Sequence, residues 1–290
     1  MYLFRWILTL KCNFNCSSCI QTKRPVRPTD TNFDRLISFS KHINRLTKQE
    51  EDNFRLLLVG GEITLIPLDI ILTLLNNVYS EKMEQLGIIS NFSAKEEYYI
   101  EIAKWCKEHN IKFVLTGSFH EEFIKQEVYM KKAAAIKPFV KELKCEFVKT
   151  KLNENLIEGI ISDCKKYNLD YRIDNNRKQK WEESEIDNST NINKIRFMVD
   201  PYGMNCSGYK YTTTLDFDGK IYGLRCRADM ESYGYINLVK KLKRDEIICT
   251  CHSCPVCAKF ILKDTKGNEI INTFNPRKEK NNVFSKMENV

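Results

Sequence analysis

The sequence has no stretch long and apolar enough to span a bilayer, so no membrane helix is expected. Nor does it open on a secretory signal: the apolar start MYLFRWILTL is broken by Arg5, lacks a small-residue cleavage site and runs straight into a cysteine loop. A reducing, cytoplasmic setting is therefore expected. Also missing are a basic helix rich in aromatics and any recognisable nucleic-acid module. Lys and Arg total 46 against 38 acids, but this excess is spread out, as in KKLKR at 240–244 and RKEK at 277–280. It reads as a solvated surface, or one that draws an acidic substrate or electron donor, and nucleic acid is not an expected partner.

Cysteine, by contrast, is plentiful. Nine of the 12 fall into two groups, residues 12–19 and residues 206–257. In a reducing compartment such groups read as metal ligands or reactive thiols, whereas the isolated Cys106, Cys145 and Cys164 read as small buried hydrophobes. Cys12, Cys16 and Cys19 stand in KCNFNCSSC, with three and then two residues between them. Three thiolates on one short loop can hold three irons of a [4Fe-4S] cube and leave the fourth open to a ligand that is not protein.

Between these groups strand and helix signals alternate. Strands are expected at 3–10, 54–60, 87–92, 111–119, 145–152 and 169–174, and helices at 33–43, 68–78, 94–109, within 121–143 and at 155–167. A Thr/Asp/Asn cluster precedes the first helix and can cap it. Six strands interleaved with five helices imply an α/β fold with a parallel sheet, a partial (β/α)6 TIM-like barrel spanning residues 1–180. The cysteine loop then lies at the carboxyl end of the first strand, on the rim where such folds place their sites. Gly60-Gly61-Glu62 ends the second strand. Its glycines would let backbone approach a ligand, and its carboxylate could accept hydrogen bonds from an ammonium group.

The polar stretch 181–195 reads as a linker. Beyond it, residues 212–226 suggest a β-hairpin turning at Asp218-Gly219, flanked by Cys206 and Cys226, and NLVKKLKRDE at 237–246 suggests a helix. CTCHSCPVC follows at 249–257, and residues 261–290 form a charged, Asn-rich tail. A CxxC pair with two distant cysteines is also how a zinc ribbon is built, with His252 as a further ligand. His120 could be a substrate-site acid or base, or a structural residue. His42 and His109 read as solvated. Tyr202, Tyr209, Tyr211 and Arg225 could line a cleft or form a small core.

The CxxxCxxC loop, GGE at 60–62 and the strand ends ISN (89–91) and TGS (116–118) together resemble the radical SAM superfamily. That resemblance implies that Cys12, Cys16 and Cys19 bind a [4Fe-4S] cluster whose open iron takes S-adenosylmethionine, with Gly60, Gly61 and Glu62 meeting its amino group. It further implies Ser118 and Asn91 as polar contacts, with Lys149 or Lys151 and Arg172 as weaker ones, and a low-potential donor such as flavodoxin or ferredoxin. Ser18 departs from the family pattern, which usually carries an aromatic residue there.

Residues 196–260 resemble the twitch domain, the shortened SPASM extension of that superfamily, which implies a small β-hairpin/helix domain with an auxiliary [4Fe-4S] cluster on Cys206, Cys226, Cys254 and Cys257. The expected function is radical hydrogen abstraction followed by oxidation of a peptide or a small polar metabolite. No leader-peptide-binding segment precedes the loop, which favours the metabolite unless that domain is a separate chain. One alternative is an epimerase in which Cys249 or Cys251 returns hydrogen. Another is a non-catalytic zinc or iron-sulfur module.

Overall fold

The computed structural model describes residues 1–19, 31–151, 153–176, 205–206, 208–223, 232–244, 247–248 and 261–263. Cys226, Cys249, Cys251, Cys254 and Cys257, the 181–195 linker and all but the first residues of the tail lie outside them.

Six strands, β1 (Tyr2–Ile7), β2 (Phe54–Val59), β3 (Met83–Ser90), β4 (Lys112–Phe119), β5 (Glu142–Lys149) and β6 (Asp170–Asn175), pair in chain order, every neighbour parallel. Between them run α1 (Phe33–Lys48), α2 (Leu68–Val78), α3 (Glu96–Glu108), α4 (Gln126–Ile136) and α5 (Ile157–Lys166). The β/α alternation read from the sequence is thus present, with ends moved by a few residues. Asn32 caps α1 by accepting the Arg35 amide at 2.8 Å, and Asp34 and Lys48 sit at the ends of the helix that favour their charges.

Strand residues alternate between two faces. Phe4, Trp6, Leu56, Leu58, Leu86, Phe113, Leu115, Leu143 and Phe147 turn toward the helices and are buried against them, with Ile43, Leu46, Ile71, Leu75, Ile102 and Ile136 as partners in one core. Cys106, Cys145 and Cys164 are buried there as small apolar groups. His42 and His109 are half-buried rather than solvated, and His109 stacks on Trp105 at 4.3 Å.

The hairpin turning at Asp218-Gly219 is present, but it does more than frame cysteines. β8 (Thr212–Leu215) pairs in parallel with β1 along Leu3↔Thr212 to Trp6↔Leu215, and β9 (Lys220–Tyr222) and β10 (Gly234–Tyr235) continue the sheet outward. Among the described residues nine strands result, in the order β10-β9-β8-β1-β2-β3-β4-β5-β6. Gly219, at φ +91°, has no room for a side chain against the ring of Phe39 in α1. A second, three-stranded sheet has β7 (Asn205–Cys206) between β11 (Ile247–Ile248) and β12 (Ile261–Lys263).

The helix expected at 237–246 does not form over its described residues, 237–244. Tertiary bonds take its backbone instead: the Arg45 guanidinium donates to the carbonyls of Ile236 (3.3 Å) and Val239 (2.7 Å), and Ile236, Val239 and Leu242 are buried. Arg244 then pins the segment to the α1–β2 turn. It pairs with Glu50 at 2.9 Å and Asp52 at 2.8 Å, donates to the Lys210 carbonyl, and lies over the Tyr2 ring. Because Glu50 is buried, Arg244→Ala should lower stability by about 2 kcal/mol in a urea melt. Arg244→Lys should restore only part of that, since an ammonium cannot fork between two carboxylates while stacking on a ring.

Candidate active site

The loop that follows β1 is held from below by β2. Gly61 donates its amide to Thr9 O and Glu62 to Lys11 O, both at 2.8 Å, so the GGE backbone lies directly against the start of the cysteine loop. A Cβ on Gly60 would collide with Thr9 O, and one on Gly61 with Lys11 O, with Lys11 C at 2.6 Å and Leu10 O at 2.7 Å. The glycines are required by this backbone-on-backbone contact, a reason different from the ligand approach read in the sequence.

Glu62 is buried, and its carboxylate is held by donors. Oε1 accepts Thr64 N (3.0 Å), Thr64 Oγ1 (2.8 Å) and Ser90 Oγ (2.8 Å), and Oε2 accepts Asn91 N (2.7 Å). Burial raises its pKa against the lowering effect of these bonds. The same residue thus caps the turn after β2 and ties it to the end of β3.

Asn91 carries the link onward. Its Nδ2 donates to Asn13 Oδ1 at 2.9 Å, reaching into the cysteine loop. The next residue, Phe92, has φ +58°, an uncommon conformation for a bulky side chain. It is held there by packing: its ring is buried, stacks on Tyr129 at 5.3 Å, and occupies the space a Cβ on Gly117 would need. Lys132 Nζ also donates to Phe92 O and Ala94 O.

The turn after β4 closes the other side of the loop. Cys16 Sγ lies 3.2 Å from His120 Nδ1, and the Ser17 amide and hydroxyl bond the Glu122 carboxylate at 2.9–3.1 Å. Phe14 stacks on Phe123 at 4.8 Å. Of these partners only His120 stood out in the sequence, and not as a neighbour of the cysteine loop; FHEEF at 119–123 was the available signal, but neither period nor spacing says that a turn faces a loop a hundred residues away.

Cys12, Cys16, Cys19, Gly60, Gly61, Glu62, Asn91 and Ser118 line one cavity of about 370 Å³, together with Phe14, Ser18 and His120. Its strand residues come from the carboxyl ends, Ile7, Val59, Ser90, Ser118, Val148 and Asp174, which puts it on the expected rim. Arg172 sits apart. Its guanidinium pairs with Glu146 (2.9 Å) and Asp174 (2.8 Å), and it borders a separate cavity of about 350 Å³ on the amino-terminal halves of the strands, with Tyr211. Lys149 pairs with Glu154 at 2.9 Å.

Among the described residues no three His, Cys, Asp or Glu side chains converge as a single metal ion requires. The three thiols border one cavity from a shared loop. Burial, then Glu122 and the neighbouring thiols, push the Cys16 pKa up to about 12.

No family model matches the sequence, and no curated protein does. Solved structures do match. anSMEcpe with bound AdoMet shares 13% identity at a TM-score of 0.61, over 82% of this chain and 79% of that one. The chain has the fold of this AdoMet-bound protein. anSMEcpe with AdoMet and the Cp18Cys peptide matches at 0.59 and 14% identity, over 82% and 78%. Streptococcus suis SuiB bound to the precursor peptide SuiA matches at 0.54 and 12%, over 83% of this chain and 63% of SuiB. What is shared with anSMEcpe at this identity is the fold, so the site rests on the residues above. Among the described residues, no helix is long and apolar enough to cross a membrane.

Proposed function

We propose that this protein is a radical SAM enzyme that abstracts hydrogen from a peptide substrate. One observation carries the reading: Cys12, Cys16 and Cys19 and the GGE turn line a single cavity on the carboxyl rim of a parallel sheet, in a fold shared with an AdoMet-bound protein. A [4Fe-4S] cluster carrying AdoMet here would supply, with one electron from an external donor, the radical chemistry that abstracts hydrogen. The rest is the work of this chain. The three thiolates would hold three irons. Gly60 and Gly61 keep the GGE turn in register with the cysteine loop, and Glu62 Oε2, which takes the Asn91 amide, keeps lone-pair capacity for the amino group of AdoMet. Asn91 and Ser118 offer polar contacts on the same wall. Arg5, Asp174, Asn175 and Asn176 give the cavity polar groups that suit peptide amides, and the peptides bound in two of the matching structures support that substrate class.

The finer reading is oxidative modification, the second electron leaving through an auxiliary cluster on Cys206, Cys226, Cys254 and Cys257, with a flavodoxin or ferredoxin as the external donor. In its support, β7 carries Cys206 between β11, which ends one residue before Cys249, and β12, which begins four residues after Cys257.

The test is anaerobic incubation of iron-reconstituted protein with AdoMet and dithionite. 5′-Deoxyadenosine by mass spectrometry is the expected product, with deuterium transferred into it from a labelled peptide. Absence of 5′-deoxyadenosine from cluster-loaded protein would overturn the reading. Solvent deuterium at a substrate carbon, lost in Cys249→Ala or Cys251→Ala, would assign epimerisation instead of oxidation.

A further inference from the structure

We propose that His120 donates a hydrogen bond from Nδ1 to the Cys16 sulfur and thereby raises the reduction potential of the cluster held there, an inference that rests on the function proposed above. The 3.2 Å separation is within N–H···S reach; Phe14 N and Asn91 Nδ2 stand 3.4 Å and 4.0 Å from Cys12 Sγ.

The contact is built in from both sides. On the β4 side, the His120 carbonyl accepts the amides of Phe123 (3.0 Å) and Ile124 (3.1 Å), which folds a tight turn immediately after the strand and fixes where the imidazole starts. On the loop side, the Phe14 ring packs edge-on against the imidazole at 5.9 Å and is itself stacked on Phe123 with the planes 12° apart. Ser17, next to Cys16, is bonded through amide and hydroxyl to Glu122. Residues 14, 16 and 17 of the loop are therefore locked onto residues 123, 120 and 122 of the turn. With Nδ1 committed to sulfur, His120 acts on the cluster through Cys16.

The electrostatic consequence has a definite sign. An N–H aimed at a cluster-bound thiolate withdraws electron density from it and favours the reduced, more negative state. The electron then arrives more easily from a low-potential donor. Losing the N–H makes the cluster harder to reduce.

The decisive experiment is an EPR-monitored redox titration of the anaerobic, cluster-loaded full-length protein. His120→Phe should shift the midpoint of the cluster on Cys12, Cys16 and Cys19 to more negative potential. His120→Asn, whose amide nitrogen can stand where Nδ1 stood, should stay near the native value. An unchanged midpoint in His120→Phe at native iron content overturns the proposal. Where His120→Phe fails to load iron, pulsed EPR of the reduced His252→Ala protein labelled with ¹⁵N-histidine decides: a hyperfine coupling from histidine nitrogen supports the hydrogen bond, and its absence overturns it. A native protein that takes up no cluster on Cys12, Cys16 and Cys19 overturns the proposed function itself, a result distinct from a loaded cluster whose potential ignores His120.

Discussion

Cys16→Ala should abolish 5′-deoxyadenosine formation while leaving the fold in place. Cys16 is 5% exposed, the most enclosed of the three loop cysteines, and it is seated against the β4 turn through His120. Removing an outer-shell partner of a metal ligand already costs about 10- to 100-fold in affinity or activity, so losing a ligand that holds one iron should exceed about 100-fold. Structurally the change is mild, because the loop keeps the Ser17–Glu122 bonds and the Phe14–Phe123 stack. The informative contrast is Cys106→Ala. That thiol is 1% exposed in the helix-packed core, so its loss should lower stability by about 1 kcal/mol and leave AdoMet cleavage intact. Equal turnover in Cys16→Ala and the native protein, measured anaerobically at matched iron content, would contradict the assignment of this loop.

Gly61→Ala should be the most damaging single methyl in the chain's described part. The added Cβ would collide with Lys11 O and come within 2.6 Å of Lys11 C and 2.7 Å of Leu10 O, all backbone atoms with no rotamer to yield. Relief requires separating the β2 turn from the cysteine loop, which also breaks the Gly61–Thr9 and Glu62–Lys11 hydrogen bonds. Overpacking of this kind costs about 3 kcal/mol, a fall in Tm of roughly 5–10 °C. Iron uptake should fall with it, because Cys12 follows Lys11 directly. Gly159→Ala is the control. Nothing lies within 4 Å of a Cβ at that exposed position in α5, so alanine there should stabilise the protein by about 0.5–1 kcal/mol. A Gly61→Ala protein that melts with the native one and loads iron normally would refute the backbone-contact account.

The barrel was legible because its signals are local. Apolar runs of strand length, helical periods between them and the cap at Asn32 each span a few residues, and the order β1 to β6 follows from the need for crossovers. That these residues face one cavity was legible for a related reason: a cysteine loop after one strand, GGE after the next and strand ends at Asn91 and Ser118 converge once the sheet is parallel and in register. What could not be read was set by distant partners. NLVKKLKRDE has helical composition, yet Arg45 and the Glu50–Asp52 pair take its backbone and Arg244 for other bonds. Arg172 stands near a strand end, but Glu146 and Asp174 claim its guanidinium. Gly60 and Gly61 carried the right signal with an incomplete reason, since glycine marks close approach without naming what approaches.

The parallel pairing of β1 with β8 bears on how the chain is made. β1 meets β2 soon after it is made, but its partner on the opposite margin, Thr212–Leu215, leaves the ribosome much later. Between those two events the strand that leads into the cysteine loop is a sheet edge, able to recruit other nascent chains. A later segment of the chain thus acts as its cover.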